Sequence, residues 1–294
     1  MRERYYSKVI LFGEYSMIFD STALMVPLTR FSAQWRFASP LNNSSWTASN
    51  VSLRRFADAL LKEEGMNDVM DFDRFGRDLD YHLFLDSDVP SGYGLGSSGT
   101  LVAAVYDAYA TQKTDDLMQL KALFGKMESY FHGSSSGIDP LQCYVGQPFK
   151  ITPDGVQILS KDFLQNGIHV CLIDTKIKSN TKPLVNHFKA QCEADGFRSR
   201  FSEGYTPFVR QCIDAMMMGD RSLFFEALTQ LTQGQLEFFR PMITENTLDL
   251  FSAHYDFNFG VKISGSGGGG YVLGFTDDVP RAKAMLSDFE VFFL

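Results

Sequence analysis

A run of glycine and serine residues leads directly into an amphipathic segment in the first third of this 294-residue chain. The run covers residues 90–99 and reads PSGYGLGSSG, and apolar residues then recur at the spacing of one helix face from Leu101 to Tyr109. This pattern predicts a loop that ends at a helix N-terminus. Such a junction presents backbone N–H groups and the positive end of a helix dipole to an anion. Phosphate is therefore the candidate ligand of this loop.

This loop differs from the two commonest phosphate-binding loops. It lacks the Lys followed by Ser or Thr that ends a Walker loop, and it lacks the βαβ context with a downstream acid that a dinucleotide-binding loop requires. Glycine-rich loops also precede helices in proteins that bind no phosphate. The loop alone therefore leaves both interpretations open, and the rest of the chain has to decide between them.

Composition and charge exclude several classes of protein. The net charge is −8, and no basic run marks a nucleic-acid surface. No segment has the roughly 20 apolar residues that a membrane helix needs, and Glu14 interrupts the apolar N-terminal stretch. We expect a cytoplasmic protein with no nucleic-acid or membrane partner. The widely spaced cysteines predict free thiols rather than a zinc site or disulfides, and they are Cys143, Cys171, Cys192 and Cys212.

The start of the chain predicts a strand with a lysine inside it. Residues 5–12 are rich in β-branched and aromatic types and end at Gly13, which places Lys8 within the strand. Residues 17–28 predict a strand, a turn at 20–21 and a second strand. A lysine in a strand is commonly an edge or surface residue, so Lys8 is a candidate functional residue only if other motifs support it.

Two acidic residues follow the helix that is predicted after the glycine-serine loop. Residues 115–130 predict an amphipathic helix that carries Glu128 near its C-terminal end, where a carboxylate opposes the helix dipole. Glu128 is therefore either a solvated surface residue or a ligand of a bound cation. Asp139 precedes Pro140, which predicts an N-cap followed by the first residue of a helix. An N-cap is held rigidly, as a catalytic base must be.

A second glycine-rich loop lies near the end of the chain. Residues 264–270 read SGSGGGG and lie between two predicted strands, 259–263 and 271–275. Consecutive glycines weaken regular structure, so they indicate close approach of another group to this backbone. Further upstream, a predicted strand at 168–173 precedes three lysines. They form either a solvated face or a positive field for an anionic substrate, and they are Lys176, Lys178 and Lys182.

Four segments together resemble the GHMP kinases, a family of small-molecule kinases. PSGYGLGSSGT resembles their phosphate loop, KVILFGEY at 8–15 their first motif, and KISGSGGGG at 262–270 their third. The segment at 128–139 resembles the stretch that supplies a metal ligand and a catalytic aspartate. Within the family the first motif and this stretch are most similar to mevalonate kinases. Tyr15 departs from the usual His of mevalonate kinases, and GEY also occurs among phosphomevalonate kinases.

The resemblance implies an α+β fold of two domains, 1–160 and 161–294, with the active site in the cleft between them. It implies an enzyme that transfers the γ-phosphoryl group of ATP, with Mg²⁺, to the primary hydroxyl of a small-molecule alcohol. Mevalonate is the favoured acceptor; a phosphomevalonate, homoserine or sugar kinase is the alternative. A catalytically inactive ligand sensor of the same fold is less favoured, because Lys8, Glu128 and Asp139 are all retained. The sequence leaves the oligomeric state open, a homodimer included.

The resemblance also implies roles for individual residues. Asp139 and Lys8 are the catalytic pair, with Asp139 either a general base or an electrostatic anchor, and Ser98 and Glu128 are the Mg²⁺ ligands. The residues expected to bind ATP are Pro90, Gly92, Gly94, Leu95, Gly96, Ser97, Ser98 and Gly99. The residues expected to bind the acceptor are Glu14, Tyr15, Thr181, Gly265, Gly267 and Gly268.

Overall fold

The computed structural model of this protein describes residues 2–19, 21–39 and 45–294. The chain divides into two compact units. The first unit contains the residues up to Lys8 together with Pro27–Pro90 and Gly96–Gly146. The second unit contains Val9–Val26, Ser91–Leu95 and Gln147–Leu294. The glycine-serine loop thus contributes residues to both units.

The chain forms helices and strands in a mixed order. The helices are α1 (Ser45–Leu60), α2 (Met66–Val69), α3 (Phe72–Asp80), α4 (Ser97–Tyr109), α5 (Leu117–His132), α6 (Ile138–Val145), α7 (Thr181–Cys192), α8 (Phe197–Gly204), α9 (Thr206–Met218), α10 (Arg221–Phe238), α11 (Leu248–Ser252) and α12 (Val279–Met285). The strands are β1 (Tyr5–Phe12), β2 (Ala23–Phe37), β3 (Leu83–Ser87), β4 (Phe149–Thr152), β5 (Gly155–Ile158), β6 (His169–Asp174), β7 (Phe259–Ile263), β8 (Tyr271–Thr276) and β9 (Val291–Phe293). No helix in the described ranges is long and apolar enough to cross a membrane.

Helix α4 is the core helix of the first unit. Its residues from Val102 to Val105 are fully buried, and it packs against both α5 and α6. The helix is apolar on nearly every side, as expected for an element surrounded by protein. Gly99, in its first turn, permits the contact with α6, because a Cβ there would lie 2.9 Å from the backbone carbonyl carbon of Asp139. The glycine therefore brings the start of α6 against the start of α4.

Helices α5 and α6 have well-defined ends. The Asp116 side chain caps α5 by accepting hydrogen bonds from the N–H groups of Met118 and Gln119, and Gly133 ends the helix with φ 78°. Helix α6 begins after Gly137, whose φ is 72°. The prediction that Asp139 is an N-cap is wrong, because the left-handed Gly137 starts the helix two residues earlier. Asp139 lies instead within the first turn of α6.

Strand pairing in the first unit joins β2 to β3. The pairing is antiparallel and runs from Ala33 opposite Ser87 to Phe37 opposite Leu83. The predicted strand at 5–12 is confirmed as β1. The predicted strand that begins at residue 17 is wrong, since Tyr15–Phe19 forms a short 3-10 helix. Of the turn predicted at 20–21, residue 20 lies outside the described residues.

The second unit contains a four-stranded antiparallel sheet in the order β7-β8-β6-β9. Helix α10 packs on β7. In the same unit, β4 pairs with the first residues of β2 and with β5. A cluster of aromatic rings fills the space among the helices of this unit, and its members are Tyr15, Phe19, Phe188, Phe197, Phe201, Tyr205, Phe238 and Phe239. Aromatic rings bury large apolar areas, so this cluster is a major source of stability.

Candidate active site

In the first unit, a buried lysine is paired with a half-exposed aspartate. Lys8 Nζ lies 2.7 Å from Asp139 Oδ2, and the two side chains are 2% and 34% exposed. Strand β1 places Lys8 in the interior, and its aliphatic stem passes close to Gly96, where an added Cβ would lie 3.0 Å from Lys8 Cγ. The surface interpretation of Lys8 is therefore wrong. Of this charged pair, Asp139 is the member that a bound molecule can reach.

Glu128 is buried beside this pair. Its carboxylate accepts hydrogen bonds from Ser98 Oγ at 2.8 Å and from Ser135 Oγ at 2.5 Å. Burial, and after it the negative charge of Asp139, raise the pKa of Glu128 to about 7, although the two serine hydrogen bonds act in the opposite direction. The solvated-surface interpretation of Glu128 is wrong. A buried carboxylate near a second carboxylate gains from the arrival of a cation.

The donor atoms around Glu128 fit Mg²⁺. The carboxylate and the Ser98 hydroxyl are hard oxygen donors, which this ion prefers to nitrogen or sulfur. Within the described ranges, no cluster of three or more His, Cys, Asp or Glu side chains forms a metal cage. Mg²⁺ needs no such cage, because it is commonly held by one or two carboxylates together with water and substrate phosphates.

The N-terminus of α4 fits a phosphate group. Its N-cap is Gly96 in the left-handed conformation, with φ 76°, so no N-cap side chain bonds the first N–H groups of the helix. Ser97 and Ser98 form the first turn and are half-buried. Backbone N–H groups and the helix dipole at such an end favour an anion. Pro90 is also half-buried, whereas Leu95 and Gly99 are buried, so these last two shape the loop through packing.

In the second unit, residues 91–95 of the same loop pack against the second glycine-rich loop. The Ser179 N–H donates to Gly92 O at 2.8 Å, and Gly94 lies against Gly265, where a Cβ would be 3.5 Å from Gly94 Cα. The Tyr93 and Tyr271 rings are in contact at 5.2 Å between centroids.

The glycines at 267–270 are explained by close contacts with protein. A Cβ at Gly269 would lie 2.6 Å from Ile177 O, and one at Gly270 would lie 2.8 Å from Tyr93 Cα. At Gly267 the corresponding neighbour is the Met242 carbonyl, and at Gly268 it is the Leu184 side chain. Gly267, Gly269 and Gly270 therefore have no room for a larger residue, because their neighbours are backbone atoms. The predicted role of Gly265, Gly267 and Gly268 in acceptor binding stays a prediction.

Glu14 forms an ion pair inside the second unit. Its carboxylate accepts a hydrogen bond from Lys262 Nζ, and the two side chains are 5% and 0% exposed. Burial lowers the pKa of Lys262, and the Glu14 charge opposes that shift. Lys262 Nζ also donates to Ile263 O at 2.6 Å. The pair thus fixes the end of β7, where the second glycine-rich loop begins.

Tyr15 joins the aromatic cluster of the second unit. Its ring lies 4.6 Å from the Phe188 ring and 5.0 Å from the Phe239 ring, measured between centroids. Its hydroxyl donates to Ser266 O at 2.9 Å, and burial raises its pKa. Tyr15 therefore holds the second glycine-rich loop in place through one hydrogen bond to its backbone.

Thr181 belongs to a group of hydroxyls at the start of α7. Ser266 Oγ donates to Thr181 Oγ1 at 3.1 Å, and Ser179 Oγ donates to Gly267 O at 2.5 Å. Lys178 and Lys182 are exposed in the same stretch. Hydroxyls and exposed lysines are the groups that a polar anionic molecule would contact.

The Glu14–Lys262 pair gives the first prediction. We expect Lys262→Met to lower the free energy of unfolding by about 3–5 kcal/mol, because Glu14 stays buried after its cation is removed. Urea unfolding at pH 7 measures the change. Lys176→Met is the matched control, because Lys176 is 61% exposed in its ion pair with Asp174, and this substitution should lower the free energy of unfolding far less than Lys262→Met does. Equal losses in the two variants would contradict this account of Lys262.

Comparisons with known proteins agree with this architecture. Residues 53–147 match the model of the GHMP kinases N terminal domain. A Streptococcus pneumoniae phosphomevalonate kinase, solved with phosphomevalonate and AMPPNP, is 15% identical, with a TM-score of 0.68 and 99% of each chain covered. L. major mevalonate kinase in complex with R-mevalonate is 17% identical, with a TM-score of 0.66 and coverage of 98% of this chain and 90% of that one. Lactococcus lactis galactokinase with galactose is 13% identical, with a TM-score of 0.67 and coverage of 99% and 92%.

Residues 53–147 match the GHMP kinase N-terminal domain, and the chain as a whole has the same α+β fold as these solved kinases. The predicted α+β fold is confirmed, together with the resemblance of residues 53–147 to the GHMP kinases. Among curated protein sequences, none matches the chain.

The structure groups the predicted residues within each unit. In the first unit it brings Lys8 and Asp139 together, and it places Glu128 against Ser98. Sequence reasoning missed two polar residues in contact with these sites, His132 and Ser135. His132 carried a usable signal, because it follows Glu128 by four residues on the same predicted helix and so shares its face.

Proposed function

We propose that this protein is an ATP-dependent kinase that phosphorylates the primary hydroxyl of a small-molecule alcohol. The observation that carries the proposal is the ion pair between Lys8 and Asp139, which joins a buried cation to an accessible carboxylate. Asp139 lies on α6, whose start packs against Gly99 at the N-terminal end of α4. That helix end is the proposed phosphate site, so the carboxylate and the phosphate site belong to one packed group of helices.

The site residues of the first unit then each have a role in the proposed reaction. Asp139 orients the acceptor hydroxyl and accepts its proton, and Lys8 fixes the Asp139 carboxylate through the ion pair. The first N–H groups of α4 bind the phosphates, and Ser98 and Glu128 hold Mg²⁺. When bound, Mg²⁺ supplies positive charge that neutralises the phosphate oxygens. Positioning and electrostatic stabilisation account for most of the rate in phosphoryl transfer, so rigidly held groups are what this reaction needs.

Mevalonate is the acceptor that we favour, and the ion pairs of the second unit support this choice. A phosphorylated acceptor brings about two more negative charges, which require several free cations near the site. Lys262 is paired with Glu14, and Lys176 is paired with Asp174 and Glu290. Lys178 and Lys182 then remain as cations for an acceptor, with no ion pair in the part of the chain that the structure describes. Two exposed lysines suit a single carboxylate better than a carboxylate with a phosphate.

A panel of acceptors tests the proposal. We expect ADP release with mevalonate to show the highest kcat/KM, followed by phosphomevalonate, homoserine and galactose. A higher value for phosphomevalonate would overturn the choice of acceptor and leave the kinase proposal standing. Binding of an acceptor without any ADP release, in a protein with intact Lys8, Glu128 and Asp139, would favour the ligand sensor.

A further inference from the structure

His132 lies against the proposed metal site and has no role in the account above. It is the last residue of α5 and follows Glu128 by one helical turn, so both side chains project from the same face of the helix. His132 Nε2 lies 3.0 Å from Ser98 Oγ, and the same Oγ lies 2.8 Å from Glu128 Oε1. Ser98 thus bridges two residues of α5.

The direction of the hydrogen bond from His132 follows from the chemistry of a hydroxyl. A serine hydroxyl has one proton to donate and two lone pairs to accept with. Ser98 gives its proton to the Glu128 carboxylate, which in the ionised form only accepts. The contact with His132 must then be donated by the imidazole, which places a hydrogen on Nε2. One lone pair of Ser98 Oγ stays available.

Ser135 shows the same arrangement on the other carboxylate oxygen. Its Oγ donates to Glu128 Oε2 at 2.5 Å and accepts from the Gly137 N–H at 3.0 Å. Each serine that donates to Glu128 is therefore itself oriented by an N–H donor. For Ser135 the donor is backbone, and for Ser98 it is the side chain of His132.

We propose that His132 is a positioning residue that orients the Ser98 hydroxyl for metal binding. This inference rests on the proposed function of Ser98 and Glu128 as ligands of Mg²⁺. The Nε2–H of His132 fixes the rotation of the hydroxyl, so that its proton points to Glu128 and its remaining lone pair is left for the metal. Without this donor only the hydrogen bond to Glu128 orients the hydroxyl, so its lone pairs are less well fixed for a metal. Groups that orient metal ligands in this way commonly change metal affinity 10- to 100-fold.

Binding of Mn²⁺, measured by electron paramagnetic resonance in the presence of AMPPNP, tests the role of His132 without turnover. We expect His132→Leu to weaken Mn²⁺ binding about 10-fold. His132→Gln should restore most of the affinity, because its amide N–H₂ can donate to Ser98 Oγ. The matched control is His254→Leu, which removes an exposed histidine of the other unit and should leave Mn²⁺ affinity unchanged.

A double-mutant cycle separates this role from a general effect on folding. Ser98→Ala removes the hydroxyl through which His132 acts, so adding His132→Leu to Ser98→Ala should cause no further loss of Mn²⁺ affinity. Equal Mn²⁺ affinity in wild type and His132→Leu, or equal weakening by Leu and Gln, would overturn the inference. Failure of the wild-type protein to bind Mn²⁺ with AMPPNP would instead overturn the proposed function.

Discussion

Replacing Asp139 by Asn is expected to lower kcat about 10²- to 10⁴-fold and to leave nucleotide affinity close to wild type. An amide cannot accept the proton of the acceptor hydroxyl, but it retains the shape of the carboxylate. Its oxygen can still accept a hydrogen bond from Lys8, which limits the effect on folding. Initial rates with saturating mevalonate and ATP give kcat, and titration with AMPPNP gives the nucleotide affinity.

Asp58→Asn is the control for this variant, because Asp58 is an exposed carboxylate on α1 of the same unit. It should keep wild-type kcat and nucleotide affinity. Turnover of Asp139→Asn near the wild-type rate would show that Asp139 is not at the reacting hydroxyl. A large loss of AMPPNP affinity would instead place this carboxylate at the nucleotide.

Glu128→Gln is expected to abolish turnover and to weaken metal-nucleotide binding together, because a metal ligand serves both. The same variant should be more stable than wild type when no metal is present. Folding raises the pKa of Glu128 from 4.5 to about 7, so the folded protein binds the extra proton between these values. Stability of the wild type therefore falls as the pH rises from about 4.5 to 7, and the loss stays in place above pH 7.

The stability difference has a defined size and pH range. At pH 8 without metal we expect Glu128→Gln to gain on the order of 1–3 kcal/mol over wild type, and the gain should vanish below pH 4.5. Urea unfolding at pH 4 and pH 8 measures it, with Glu64→Gln as an exposed control in the same unit. Addition of Mg²⁺ and AMPPNP should stabilise the wild type and not the variant. A pH-independent difference would show that Glu128 carries no energetic cost in the folded protein.

Local signals in the sequence were sufficient for much of the fold. The β-branched run around Lys8 predicted β1, and the periodicity after Gly99 predicted α4, because each pattern reflects burial within a single element. The same reasoning failed at Tyr15–Phe19, which forms a 3-10 helix where a strand was predicted. Contacts of Tyr15 with Phe188 and Phe239 fix the conformation of that segment. Alternation of apolar residues along the sequence is a local pattern, so it cannot indicate contacts with rings more than 170 residues away.

Residues of the candidate site could be identified from the sequence only where they lie in a recognisable motif. Asp139 and Glu128 were found through their motif, but the burial of Glu128 depends on how α5 packs against α4. The pair of Glu14 and Lys262 joins residues 248 positions apart, so no local pattern indicates it. The orientation of Ser98 by His132 depends likewise on two helices meeting in space.

Positions in and around the second glycine-rich loop differ in their tolerance of substitution. Gly267, Gly269 and Gly270 face backbone atoms of neighbouring segments, which cannot move aside as a side chain can. By contrast, Ser179 and Ser266 already carry side chains in this region. A mutational library meant to alter the proposed acceptor site should therefore keep these glycines and vary the hydroxyl residues, because most substitutions at the glycines would prevent folding.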